Sequence, residues 1–391
     1  MTRWEAFTTV CSYLRAGFLD GERTHQAELT WELMIEVASF HCVTPTLAAC
    51  FDPDSDVPGD VRDYFGSTLA LNKKRNEQIL STLARVAGLL NAIDIEPVLL
   101  KGGALLVEGI YPQSSTRLLG DIDILIPKNR SAEASAALKA AGYDTKSSAV
   151  SPPTHHHLPM LLDPETGAGV ELHTDVISRS ADAVIATDWF CEMLRPILFR
   201  GQRVRLPEPT RNLGHIIFHS QIFHGLYVLN KVQLRHIVDL VLLRARHEKT
   251  IDWDELDRRF SAAGAGEVLA TYLHFASELL GQAAPQLSHA PRKDAMTELR
   301  STESRDGFHF QIEHLQSTCD GLLTHSSYLQ SECGRLQSEC DRLSTQSSLL
   351  QSELENARSA LAAVSTSRSW RFTAPLRGIA NMSRSWRGLS R

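Results

Sequence analysis

No apolar run in this chain of 391 residues approaches the eighteen or more that a membrane span needs. The first residues, Met1-Thr2-Arg3-Trp4-Glu5-Ala6-Phe7, also lack the basic and apolar regions of a signal peptide. The expected location is therefore the cytoplasm. Cysteines are few: seven, at positions 11, 42, 50, 191, 319, 333 and 340, with no Cys-x-x-Cys pair. An odd, scattered set of this kind argues against a disulfide framework and against a zinc site. Excess positive charge is missing too. With 40 Lys and Arg against 46 Asp and Glu, the net charge of −6 provides no global field for nucleic acid, which becomes the less favoured partner. What is present, 43% hydrophobic and 22% charged residues, is an ordinary composition, and the chain is long enough for a sizeable core and more than one domain.

The most informative stretch begins at Pro97. A short apolar run, Val98 to Leu100, ends in Lys101, Gly102 and Gly103, and a helical pattern (Ala104, Leu105, Val107) follows at once. That order predicts a strand, a glycine turn and a helix start. Two adjacent glycines let backbone N–H groups approach an anion, and a helix N-terminus adds favourable partial charge, so phosphate is the natural guest. Next, Asp121-Ile122-Asp123-Ile124-Leu125-Ile126 alternates as a strand does, which directs both carboxylates to one face. Like charges this close repel. Either they face open water or a divalent cation such as Mg²⁺, bridging to a substrate triphosphate, relieves them.

A third acidic strand follows. Val170-Glu171-Leu172-His173 alternates again, after a turn at Asp163 to Gly169, and a hairpin with the apolar run Leu158 to Leu162 would set Glu171 beside the aspartate strand. His173 then faces the same side as Glu171. These residues resemble the nucleotidyltransferase superfold, and in detail the bacterial nucleotidyltransferase family catalogued as uncharacterised. The shared features are the Lys-Gly-Gly-x-Leu turn at Lys101 to Leu105, Arg117 before the Gly-Asp-Ile-Asp strand, and Glu171-Leu172-His173. The likeness spans roughly residues 25 to 280. It implies an α+β fold, a nucleotidyltransferase-type mixed sheet with flanking helices. It also implies that Asp121, Asp123 and Glu171 are catalytic and hold Mg²⁺ or Mn²⁺. Lys101, Gly102, Gly103, Arg117 and His173 would then bind the NTP. Arg117 has a second reading, as the partner of an acidic neighbour in the folded turn.

Around this core the chain divides into segments. Residues 1–95 read as helical scaffold, broken at Asp52 to Gly59, with Lys73, Lys74 and Arg75 on a solvated helix face. Residues 96–208 are the nucleotidyltransferase core. His155, His156 and His157 fall in a strand region that either nears the site or ends in solvent. Residues 209–280 are helical and complete the cleft. His215 and His219 there read as interior histidines, and Lys231, Arg235 and Asp239 as either the far wall of the cleft or a solvated ion-pair stripe. Residues 281–307 read as a linker. From 308 to 364 leucine recurs every seventh residue, at Leu315, Leu322, Leu329, Leu336, Leu343 and Leu350, a coiled-coil heptad with leucine at d that favours a parallel homodimer. Residues 365–391 carry six arginines, two tryptophans and no acid. Such a tail suits an anionic membrane surface or a protein partner, at the periphery of the inner membrane. It also resembles the Ser-Trp-Arg-x-Thr-x-Pro-Leu-Arg tail that follows coiled coils in many bacterial glycosyltransferases of surface-polysaccharide clusters.

The expected activity is transfer of a nucleoside monophosphate from an NTP to an acceptor hydroxyl with release of pyrophosphate, the acceptor being left open. Two alternatives come from other classes. One is a non-catalytic coiled-coil scaffold at a membrane-associated assembly; the other is a nucleotidyltransferase toxin of the abortive-infection type.

Overall fold

The helical periodicity before residue 95 is carried by four helices, α1 (Arg3–Phe18), α2 (Trp31–Phe40), α3 (Thr44–Ala48) and α4 (Gly59–Asn91). The computed structural model describes residues 1–19, 30–51, 57–145, 156–177, 185–304 and 337–363. It separates the chain into two units, Met1–Gly307 and Phe308–Arg391. His155, most of the heptad segment and the whole basic tail lie outside the described residues.

In the first unit the chain continues through β1 (Val98–Leu99), α5 (Lys101–Val107), β2 (Ile122–Leu125), α6 (Ser131–Ala140), β3 (Asp144–Thr145), β4 (Leu161–Leu162) and β5 (Gly169–His173). Then come α7 (Thr187–Cys191), β6 (Leu194–Phe199), β7 (Gln202–Pro207), α8 (Pro209–Phe218), α9 (Leu234–His247), α10 (Trp253–Ala262), α11 (Gly266–Leu280) and α12 (Ala295–Glu303). The seven strands form one mixed sheet in the order β3-β4-β5-β2-β1-β7-β6. The β4–β5 hairpin is antiparallel, and its second strand pairs in parallel with β2, Asp123 opposite Glu171. This is an α+β sheet flanked by helices.

Strand alternation decides which side chains are sealed and which are offered. Ile122, Ile124, Val170 and Leu172 point into a core with Leu83, Val86 and Leu90 of α4 and with Leu138 of α6. Their neighbours Asp121, Asp123, Glu171 and His173 therefore project from the opposite face, toward α8 and α9. The second core, built mainly from α1, α2, α3, α8, α9 and α11, lies on that side and includes Leu100, Leu105 and Leu125. A buried carboxylate, Asp163, fixes the hairpin. It accepts hydrogen bonds from Arg85 (2.6 Å), the Tyr143 hydroxyl (2.8 Å) and the backbone N–H groups of Glu165 and Thr166.

The segment leading into β2 is tied down equally firmly. Asn72 and Asn76 of α4 donate to the Arg117 carbonyl (3.1 and 2.7 Å), and the Arg117 guanidinium makes a bidentate pair with Asp239 of α9, both contacts at 2.7 Å. Tyr111 donates to the same carboxylate at 2.6 Å. The pair is buried, and against the cost of burial the guanidinium holds the Asp239 carboxyl below the usual range.

The stretch 281–307 differs from a linker. Gly281 does stop α11 in a left-handed cap (φ 75°), but Ala295–Glu303 then forms α12, whose Ala295 and Leu299 are buried in the helical core. Glu303 reaches His41 at 3.1 Å. In the second unit, residues 337–363 are helical and exposed along their whole length.

Asp239→Ala, which leaves the Arg117 charge buried and unpaired, should lower the stability of the full chain by about 3–5 kcal/mol. Urea unfolding followed by tryptophan fluorescence measures this. A loss under about 1 kcal/mol would mean that the pair behaves as a solvated one.

Candidate active site

A cavity of about 620 Å³ opens between the sheet face and α8–α9. Asp121, Asp123 and Glu171 line one side of it, with Lys101, Gly102 and Arg117 from the turns that precede β2. The other side is formed by His215, His219, Phe223 and His224 and by Arg235, His236 and Asp239, while His156 and His157 join from the strand edge. A second cavity of similar volume, near Lys128 and Arg205, is lined by charges that largely pair with one another, Lys128 with Asp175 and Arg203 and Arg205 with Glu96.

Asp123 is the hub. One of its oxygens, Oδ1, accepts from Lys101 Nζ at 2.7 Å and from His173 Nε2 at 2.9 Å, and His173 Nε2 also lies 3.5 Å from Glu171 Oε2. Burial pushes the Asp123 carboxyl up, but these donors outweigh it and hold the group well below the usual carboxylate range. Glu171 is lowered by the His173 hydrogen bond against its own burial. His173 answers in the opposite direction: burial works against its charge, and the two carboxylates raise it above the ordinary histidine value. Asp121 stands apart. Burial, then the charges of Asp123 and Glu171, raise its pKa, and among the described residues nothing donates a hydrogen bond to its carboxylate.

Three carboxylates thus crowd a cavity wall in which one ammonium and one imidazole are the near cations. One oxygen or nitrogen each from Asp123, Glu171 and His173 lie within 4.8 Å of one another, close enough to hold a metal ion. The carboxylate oxygens of this set fit a hard divalent cation such as Mg²⁺ or Mn²⁺.

Of the residues expected to meet nucleotide, Lys101 and Gly102 do reach the cavity, but Gly103 does not line it. The first glycine has a packing reason. A Cβ at Gly102 would fall 2.0 Å from Arg117 Nη1 and 2.6 Å from Leu119 Cδ1, so its absence is what lets the guanidinium pass. Lys101 sits in the left-handed region (φ 49°), and the strand-to-helix turn needs this conformation there. Arg117 lines the cavity with its charge already matched by Asp239 of α9, not by an acidic neighbour in the turn. His173 is fully buried behind Asp123. Lys73, Lys74 and Arg75 are exposed on α4.

Of Lys231, Arg235 and Asp239, one reading of which is the far wall, Arg235 and Asp239 line the cavity and Lys231 does not. His215 is fully buried, with neither ring nitrogen hydrogen-bonded, and burial depresses its pKa to about 3. Burial lowers His219 and His236 as well, helped by Lys101 and Arg235 respectively, so this wall is largely uncharged at neutral pH. Arg235, on the same wall, offsets a small part of the upward shift of Asp121. The i, i+4 spacing of His215 and His219 was visible, but not that α9 would bring His236 to face them.

Comparison with known proteins adds one extended match. The family model described as "Uncharacterised nucleotidyltransferase" matches residues 27–281. Among solved structures, an antigenic nucleotidyltransferase-like protein from Paracoccidioides brasiliensis is 18% identical, over 56% of this chain and 96% of that one, with a TM-score of 0.36. The antibiotic-resistance factor ANT(2'')-Ia is 10% identical over 51% of this chain and 98% of that one, with a TM-score of 0.35. No curated protein matches.

If the cluster is a metal centre, Asp123→Asn and Glu171→Gln should each weaken Mn²⁺ binding by about tenfold or more, read from the electron paramagnetic resonance signal of free Mn²⁺. Asp175→Asn, outside the cavity, is the control. Equal binding by all three variants would remove the centre from this site.

Proposed function

The chain belongs to the family described as uncharacterised nucleotidyltransferase. From that membership and the carboxylate geometry, we propose that it transfers a nucleoside monophosphate from an NTP to an acceptor hydroxyl. The observation that carries this reading is the in-register parallel pairing of Asp123 with Glu171, which with Asp121 gathers three acids on one cavity wall beside the Lys-Gly-Gly turn.

Asp121, Asp123 and Glu171 would hold Mg²⁺ or Mn²⁺, which when bound neutralises triphosphate charge and lowers the pKa of the acceptor hydroxyl. The acceptor oxygen attacks the α-phosphorus in line and a new P–O bond forms. The bond to the β-phosphate oxygen breaks, pyrophosphate departs, and the hydroxyl proton is released. His173 orients the Asp123 carboxylate. Lys101, now on Asp123, is the side chain best placed to turn to the triphosphate, with Gly102 at the foot of the same turn. Arg117 acts here as a support, anchoring the entry to β2 through Asp239. A cavity of about 620 Å³ favours a small acceptor over a polymer.

The second unit supports self-association. Its helix places Leu343, Leu350, Leu354 and Leu361 in the heptad seam, and these are 50%, 56%, 51% and 69% exposed. Leucine at d suits a parallel dimer in which two copies cover these side chains, with Cys340 and Ser347 as weaker companion positions. Cytoplasmic location, tail contact with the inner membrane and a link to surface-polysaccharide synthesis belong to the same reading, on the tail's resemblance.

Pure protein incubated with each α-labelled NTP, Mg²⁺ or Mn²⁺ and a small-molecule extract should transfer label to an acceptor. Asp121→Ala and Asp123→Ala should abolish transfer while the fold persists, and retained activity in both would sink the assignment. In sedimentation, a chain ending at Gly307 should lose self-association; if it sediments as the full chain does, allowing for mass, the heptad helix is not the oligomerising element.

A further inference from the structure

Helix α8 does not simply end at Phe218. It continues through His219–Phe223 as a π-helical turn, a rare conformation that recurs at functional sites. Its wider turn lays the rings of His219 and Phe223 against each other, with centroids 5.3 Å apart and planes at 22°. Phe223 is 40% exposed and lines the cavity, whereas Phe190, Phe218, Phe260 and Phe275 are buried. An aromatic ring backed on one side and open to a cavity is a platform for another flat ring.

The platform shares its cavity with the acids. Phe223 meets His156 edge-on at 5.2 Å, and His156 lies a further 5.2 Å from His173, which bonds Asp123. Phe223 and the three carboxylates line the same cavity, so a nucleotide whose phosphates meet the acid wall has an exposed ring there for its base. The ring behind Phe223 is uncharged at neutral pH, because burial and the nearby Lys101 keep His219 well below its usual range. A neutral stack suits a base and offers nothing to a phosphate.

Resting on the transferase reading above, we propose that Phe223, backed by His219, is the platform on which the nucleobase of the NTP stacks. Every base has a π-face, so recognition of this kind tolerates all four bases and favours the larger purines. Phe223 sets affinity for the nucleoside portion and leaves the triphosphate to the acid wall and Lys101.

The test uses the full chain and calorimetry, with α,β-methylene-ATP as one probe and inorganic tripolyphosphate, which has no base, as the other. Phe223→Ala should weaken α,β-methylene-ATP by about tenfold and leave tripolyphosphate unchanged. Phe223→Leu, which keeps apolar bulk without a π-face, should weaken the nucleotide too. Phe223→Trp should bind like wild type and show nucleotide-dependent fluorescence quenching beyond that of the native tryptophans. Wild-type affinity in Phe223→Ala overturns the platform, and so does an equal loss of both probes, which would mark a structural role. If the wild-type protein binds neither probe, the transferase reading itself has failed.

Discussion

Parallel pairing of β2 with β5 sets Asp123 directly across from Glu171, and most of the site follows from the need to offset that repulsion. Two acids in register on one sheet face, with Asp121 one step along, are tolerable only with positive charge nearby. In the folded chain that charge comes from Lys101 on a turn and His173 on the strand itself, both on the same oxygen of Asp123. The isoleucines between the acids hold the strand in place by burial on the other face, so one alternating hexapeptide serves stability and chemistry on opposite sides.

That division explains what could be read from sequence. The period-2 pattern identified both acidic strands, and the turn at Asp163 to Gly169 marked the hairpin that brings Glu171 to its neighbour. Facing, by contrast, is set by packing between distant segments. Nothing local to Arg117 shows that Asp239, 122 positions later, takes its charge. Nothing local to Gly102 shows that its missing side chain makes room for that guanidinium. His215 and His219 read as interior residues; His215 is indeed interior, yet it also faces a cavity that only the docking of α9 creates. Proline and charge made 281–307 look like a linker, because one short helix with two buried apolar residues leaves a weak periodic signal.

The two units obey different rules of burial. In the first, leucine, isoleucine and valine are mostly enclosed, and the exposed exceptions include Val228 and Leu229, in the chain that follows the π-helical turn. In the second, the described helix keeps its leucines at the surface, at the spacing by which two helices interlock. The sheet and the C-terminal helix thus follow separate periodicities, 2 for the strands and 7 for the leucines.

The contact between His41 and Glu303 has an architectural corollary. It fastens the last helix of the first unit to the connection after α2, so the beginning and end of that unit share one seam. The polypeptide behaves there like a closed loop. The natural stopping point of the first unit falls after α12 rather than at the prolines that precede it.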